Sequence, residues 1–176
     1  MSLTKQHNAL IKEIDRIIEV VGFDYKNTNQ YKQKTARLKA IKEQIIRGRV
    51  IMWHSFFDET MDNAISNYFF YKHKRREQRR IYWYSNKYSI FKNYLLERIP
   101  FRRKLELVVK IKSSWKKHKN ILEKLDGIRN PLAHSFSPEE APKKINYRGK
   151  NIFTLDGIIL LENDMSAIFR DYSKLI

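Results

Sequence analysis

Apolar residues recur at intervals of three and four along most of this chain, which is the period of an α-helix with one buried stripe. Between Lys5 and Val21 they are Leu10, Ile11, Ile14, Ile17, Ile18 and Val21, with Gly22 as the expected stop. A polar turn at Asn27 to Gln30 leads into a second, more basic helix on Tyr31, Leu38, Ile41, Ile45 and Ile46, expected to stop or bend near Gly48. A third helix, from about Val50 to Tyr71, carries Met52, Trp53, Phe56, Phe57, Met61, Ala64, Ile65 and Tyr68. Tyr82, Trp83, Tyr84, Tyr88 and Phe91 extend the pattern to Arg98, and Pro100 breaks it. From Arg102 to Leu125 one long basic helix is expected, with Leu105, Val108, Val109, Ile111, Trp115, Ile121, Leu122 and Leu125 inward.

The segment Lys144 to Thr154 reads differently. Tyr147-Arg148-Gly149-Lys150 offers a glycine-containing turn between short stretches holding Ile145, Ile152 and Phe153, which predicts a small hairpin. From Leu155 onward the helical period returns through Ile158, Ile159, Leu161, Met165, Ile168, Phe169, Tyr172 and Leu175. The expected fold class is therefore all-α, a bundle of about five or six helices with a small β-hairpin before the last. No Gly, Pro or Ser-rich stretch marks a linker, so residues 1–176 are read as a single domain.

Lys and Arg number 36 against 19 Asp and Glu, a formal charge of +17, and such a field favours polyanions. Nucleic acid, an anionic membrane surface and an acidic protein are the partner classes. No apolar run approaches the roughly 20 residues that span a bilayer, and the start is polar, so no membrane association is expected and a soluble, cytoplasmic protein is. The absence of cysteine removes disulfides, thiolate zinc sites and cysteine nucleophiles.

The residues with the clearest chemistry lie in Asp126-Gly127-Ile128-Arg129-Asn130-Pro131-Leu132-Ala133-His134. Gly127 is a good helix terminator, Asn130 a good N-cap and Pro131 a good first helical residue, so a new helix is expected to start at Pro131. Arg129 and His134 would then both lean toward a helix start, where free N–H groups favour a phosphate. A guanidinium offers a bidentate fork to phosphate oxygens, and an imidazole is the side chain best matched to proton transfer near pH 7. That pair suits RNA cleavage. His134 would act as base on the ribose 2'-OH or as acid on the leaving 5'-oxygen, and Arg129 would stabilise the charge on the phosphorane. Such cleavage uses no metal and no cofactor, yields a 2',3'-cyclic phosphate and a 5'-OH, and spares DNA. One acid–base group supplies only roughly 100 to 10,000-fold, so a homodimer with two motifs across a shared cleft is expected.

Arg-Asn-x-x-x-His at Arg129, Asn130 and His134, followed by a terminal helix, resembles the motif of the HEPN superfamily. The resemblance implies a helical bundle, dimerisation, and a metal-independent endoribonuclease of toxin–antitoxin or antiviral-defence type with Arg129 and His134 catalytic and Asn130 the polar residue beside them. The motif itself covers six residues. In superfamily toxins that pair with a small nucleotidyltransferase antitoxin a Tyr commonly stands two residues after the His. Here Phe136 does, which speaks against control by nucleotide transfer at that position.

A second basic feature is the run Lys72, Lys74, Arg75, Arg76, Arg79 and Arg80, read as a phosphate rail for RNA beside Tyr82, Tyr84 and Tyr88 as stacking rings, with Trp83 assigned to the core. The bland reading of such a run is a solvated helix face. His54, Asp58 and Asp62 fall in a line on the aromatic helix, yet one histidine with two acids is common on helices and no metal is expected there. Asp58 and Glu59 are instead candidates to hold the Arg129 guanidinium. The alternative to a nuclease is a non-catalytic RNA-binding or protein-interaction module, and an acidic antitoxin or regulatory protein is a further partner that +17 would attract.

Overall fold

The structure is a computed structural model and describes residues 3–24, 29–70, 85–134 and 145–173. Among these it contains six α-helices: α1 (Leu3–Asp24), α2 (Asn29–Phe70), α3 (Asn86–Tyr94), α4 (Phe101–Ile111), α5 (Lys119–His134) and α6 (Leu155–Ser173). Short 3-10 turns occupy Leu96–Arg98 and Ser113–His118, and a two-stranded antiparallel hairpin, β1 (Asn146–Tyr147) and β2 (Lys150–Asn151), precedes α6. The mostly helical class and the hairpin before the last helix agree with the periodicity and the turn chemistry. The chain forms two compact units, a terminal one of Met1–Met52 with Gly127–Ile176 and a central one of Trp53–Asp126, with the boundaries inside α2 and α5.

Several helix boundaries differ from those expected. The first helix runs past Gly22, and the second and third are one helix through Gly48. A glycine costs an interior helix position about 1 kcal/mol relative to alanine, whereas each fully buried Ile or Val contributes about 1.5–3 kcal/mol. Ile46 and Val50 on either side of Gly48 are both fully buried, so packing outweighs the local preference. The expected long helix from Arg102 to Leu125 is divided instead. Lys112 is extended at φ −133°, its N–H closing on Val108 O at 2.8 Å, and a 3-10 turn starts at Ser113-Ser114. Serine side chains compete for backbone groups, and the apolar period hides such an interruption.

The core of the terminal unit is built on Ile11 and Ile14 of α1, Ile46 and Val50 of α2, Ile128 and Leu132 of α5, and Ile158, Leu161, Met165 and Ile168 of α6. That of the central unit holds Phe57, Met61, Ile65, Leu96, Leu105, Trp115, Leu122 and Leu125. Met52 and Tyr68, which share the aromatic helix's apolar pattern, are exposed.

The hairpin turns at Arg148 (φ 49°) and Gly149 (φ 83°), positive at both central positions as a type I′ turn requires. Arg148 bears that conformation with its guanidinium on both oxygens of Asp164 at 2.8 Å, while buried Tyr147 donates its hydroxyl to the same carboxylate at 2.8 Å. Burial first, and then this hydrogen bond, push the Tyr147 pKa up from its ordinary value. Thr154 caps α6 by accepting from the Gly157 N–H at 3.2 Å.

Gly157 is where helix and hairpin meet. A Cβ there would strike the Asn151 carbonyl, which is backbone and cannot swing aside. Gly157→Ala is expected to cost about 1–3 kcal/mol by overpacking. Gly48→Ala, with open space at its Cβ position, is expected to stabilise by about 0.5–1 kcal/mol. Urea denaturation of the two variants, read beside the unsubstituted chain, should move the midpoint in opposite directions.

Candidate active site

Helix α5 carries the Arg129–His134 motif. It is continuous from Lys119 to His134, with Pro131 in its interior. The expected break at Gly127 and new start at Pro131 are therefore absent, and Asn130 is not an N-cap. Proline in a helix costs about 3 kcal/mol, through a clash and a missing donor to the carbonyl four residues back, here Gly127. Ile128 and Leu132, which bracket Pro131, are both buried and together offset a penalty of that size. Arg47 adds a further hold. Its guanidinium is buried, donates to Leu132 O at 3.5 Å in the last turn, and lies 6.0 Å from the centre of the Phe153 ring.

Residues five apart on a continuous helix lie about 140° around the axis and about 7.5 Å along it, so positions 129 and 134 do not share a helix face. Both sit toward the C-terminal end of α5, where the backbone presents carbonyls rather than N–H groups. The expected phosphate cradle of free N–H groups is thus missing, and an anion there must be held by side chains. Arg129 is half-buried and donates from Nη1 to the Asn130 side-chain carbonyl at 3.1 Å. Asn130 is therefore a neutral support for the guanidinium, and no carboxylate pairs with Arg129 among the described residues. His134 closes the helix, and its side chain lies outside the described residues, as does Phe136.

Asp58, Asp62 and His54 each have a protein partner of their own. Asp58 accepts from Lys104 Nζ at 3.0 Å and Asp62 pairs with it at 2.7 Å, so Asp58 is a counter-charge for buried Lys104 rather than for Arg129. Burial pushes the Asp62 pKa up even against that ammonium, and the nearby Asp58 charge adds to the rise. His54 stacks on Phe101 with centroids 4.2 Å apart and meets Asp126 at 3.2 Å, which Arg102 also contacts at 2.8 Å. No group of three potential metal ligands occurs among the described residues.

Of the RNA-binding candidates, Lys72, Lys74, Arg75, Arg76, Arg79 and Arg80 lie outside the described residues, as do Tyr82, Trp83 and Tyr84. Tyr88 is buried against Phe70, edge to face at 5.9 Å, and so belongs to the core rather than to a base platform.

Sequence reasoning overlooked the buried cations Arg47, Arg49 and Lys104. A signal exists for the first two, since Arg47 and Arg49 lie on one helix between Ile46 and Val50, both fully buried. Arg49 forms a buried ion pair with Glu162 of α6 and donates to Asn8 Oδ1 of α1 at 2.9 Å, while the Asn8 amide donates to Glu162 at 3.4 Å. Burial pushes the Arg49 guanidinium down to about 10.

Compared with models of known families, with curated proteins and with solved structures, the chain finds no match in any of the three. No described helix is long and apolar enough to cross a membrane.

Proposed function

We propose that this chain is a HEPN-like, metal-independent endoribonuclease of toxin or antiviral-defence type, acting on single-stranded RNA as a homodimer. Arg129 neutralises the scissile phosphate, His134 transfers the proton to or from the ribose and leaving oxygens, and Asn130 orients Arg129. The observation that carries the reading is the state of Arg129. Arg49, Lys42 and Arg148 of the same unit are matched by the carboxylates of Glu162, Asp15 and Asp164, whereas half-buried Arg129 rests on a neutral amide, which leaves its charge open to a ligand.

The continuous α5 bears on the second reading, a non-catalytic RNA-binding module. Positions 129 and 134 are about 140° apart on one helix, so the nuclease reading calls on the second copy of the motif, whereas binding alone does not. The two readings separate on labelled single-stranded RNA incubated in EDTA at several salt concentrations, beside His134→Ala and a DNA strand of equal sequence. The expected result is cleavage of RNA alone, leaving 2',3'-cyclic phosphate and 5'-OH ends and lost in the variant. Salt-sensitive binding without cutting supports the module instead.

A further inference from the structure

We infer that the central unit carries a stacking surface for single-stranded RNA on the exposed rings of Tyr68, Phe69 and Tyr94, flanked by Lys87, Lys92 and Arg98. This inference shares its ligand with the nuclease reading but needs none of its chemistry.

The relative exposures are 62% for Tyr68, 55% for Phe69 and 62% for Tyr94. Single exposed apolar residues are ordinary, so the weight lies in how these are joined. Tyr68 and Phe69 end α2 and meet edge to face at 5.2 Å, and Phe69 reaches Phe91 of α3 at 6.3 Å. Phe91 in turn packs on Phe70 at 4.7 Å, and Phe70 on buried Tyr88 at 5.9 Å. The cluster runs from buried Tyr88 through half-buried Phe70 and Phe91 to Phe69 and Tyr68 in water. The inner rings back Phe69, so a base that stacks there meets a partly ordered surface, which lowers the entropy cost of binding.

Tyr94 lies one turn beyond Phe91, and the Arg98 guanidinium carbon is 6.0 Å from its ring centre. A cation beside a stacking ring is the arrangement that takes a base and its phosphate together. Lys87 and Arg98 are exposed and form no ion pair among the described residues. Between Asn63 and Lys104 the acidic residues are Glu77 and Glu97 alone, and the run Lys72 to Arg80 follows the end of α2 by two residues in the chain. Exposed Asn67 and Asn93 place side-chain amides, able to bond base edges, next to Tyr68 and Tyr94 in sequence. Rings, amides and unopposed cations in one stretch are the composition that single-stranded nucleic acid selects, and an acidic peptide has no use for exposed ring faces.

The test is fluorescence anisotropy with a short fluorescein-labelled oligo-uridylate, on the full chain carrying His134→Ala so that the probe survives. Tyr68→Ala with Tyr94→Ala is expected to weaken binding by about 10-fold or more while leaving the slope of affinity on salt unchanged. Lys87→Ala with Arg98→Ala is expected to reduce that slope. Tyr94→Trp should retain affinity and Tyr94→Leu should lose it, because stacking needs a ring and general apolar contact does not. All these side chains are exposed, so circular dichroism should report an unchanged helix content. Equal binding by the Trp and Leu variants, or no loss in the double alanine variant, overturns the inference. So does binding to phosphatidylserine vesicles that depends on Tyr68 and Tyr94 while oligo-uridylate binding does not. Ring-dependent binding by a chain whose His134 form never cuts RNA keeps this surface and removes the nuclease, and cutting without ring-dependent binding does the reverse.

Discussion

Glu162→Gln is expected to destabilise the fold by about 3–5 kcal/mol, the range for removing one partner of a buried ion pair. At roughly 2–4 °C per kcal/mol for a chain of this length, the melting temperature should fall by about 6–20 °C. The effect is large because of what remains. Arg49 is 3% exposed and would keep its positive charge against neutral amide oxygens alone, that of Asn8 and that of the replacing side chain. Burial already works against that charge, as the lowered guanidinium pKa records, and Glu162 is what offsets it. The same three residues tie α1, α2 and α6 together, so the loss falls on the unit that also holds the end of α5. A variant in which Asn8→Leu, Arg49→Met and Glu162→Leu are combined should recover most of the stability, since apolar replacement of a whole buried ionic cluster is often neutral or better. Thermal unfolding followed by circular dichroism distinguishes the cases. A single variant that melts with the unsubstituted chain would mean that water reaches Arg49.

The parts of the fold legible in the sequence are those decided by many residues acting alike. Six or more apolar positions at helical spacing make α1 and α6 evident, and Arg148-Gly149 between short β-prone stretches makes the hairpin evident, because few residues accept a positive φ. Three of the misplaced boundaries rest on single residues. Gly48, Gly127 and Pro131 each carry a local cost of about 1–3 kcal/mol, and burial of one or two neighbours, invisible without the partner helix, is enough to reverse it. The ionic partners were illegible for a related reason. Arg49 and Glu162 stand far apart in the chain, and nothing in either neighbourhood specifies the other, just as nothing near Asp58, a candidate to hold Arg129, points to Lys104 as its partner. At the candidate site the residue types were legible and their geometry was not. Arg129 with Asn130 stands out by composition, but the orientation of both follows from a helix that continues where two strong punctuators predict a break.

That geometry makes the second activity prediction specific. Under the proposed function His134→Ala should lower RNA cleavage by roughly 100 to 10,000-fold, the usual contribution of one acid–base group. Under that proposal, with positions 129 and 134 on different faces of α5, the two copies of the motif work in one cleft, one His134 as base and the other as acid. Subunit mixing tests this directly. If each dimer needs both histidines, a dimer with one His134→Ala subunit is inactive. After equal mixing and exchange, only about one quarter of the dimers retain both, and activity should fall to about one quarter of the all-functional value. If each copy acts alone, activity falls to about one half, in proportion to the functional subunits. A quarter supports a shared site that the monomer's helix geometry cannot supply by itself. A half, with His134→Ala still inactive alone, would mean that the long Arg129 side chain returns to its own His134 and that the second copy is dispensable for the chemistry.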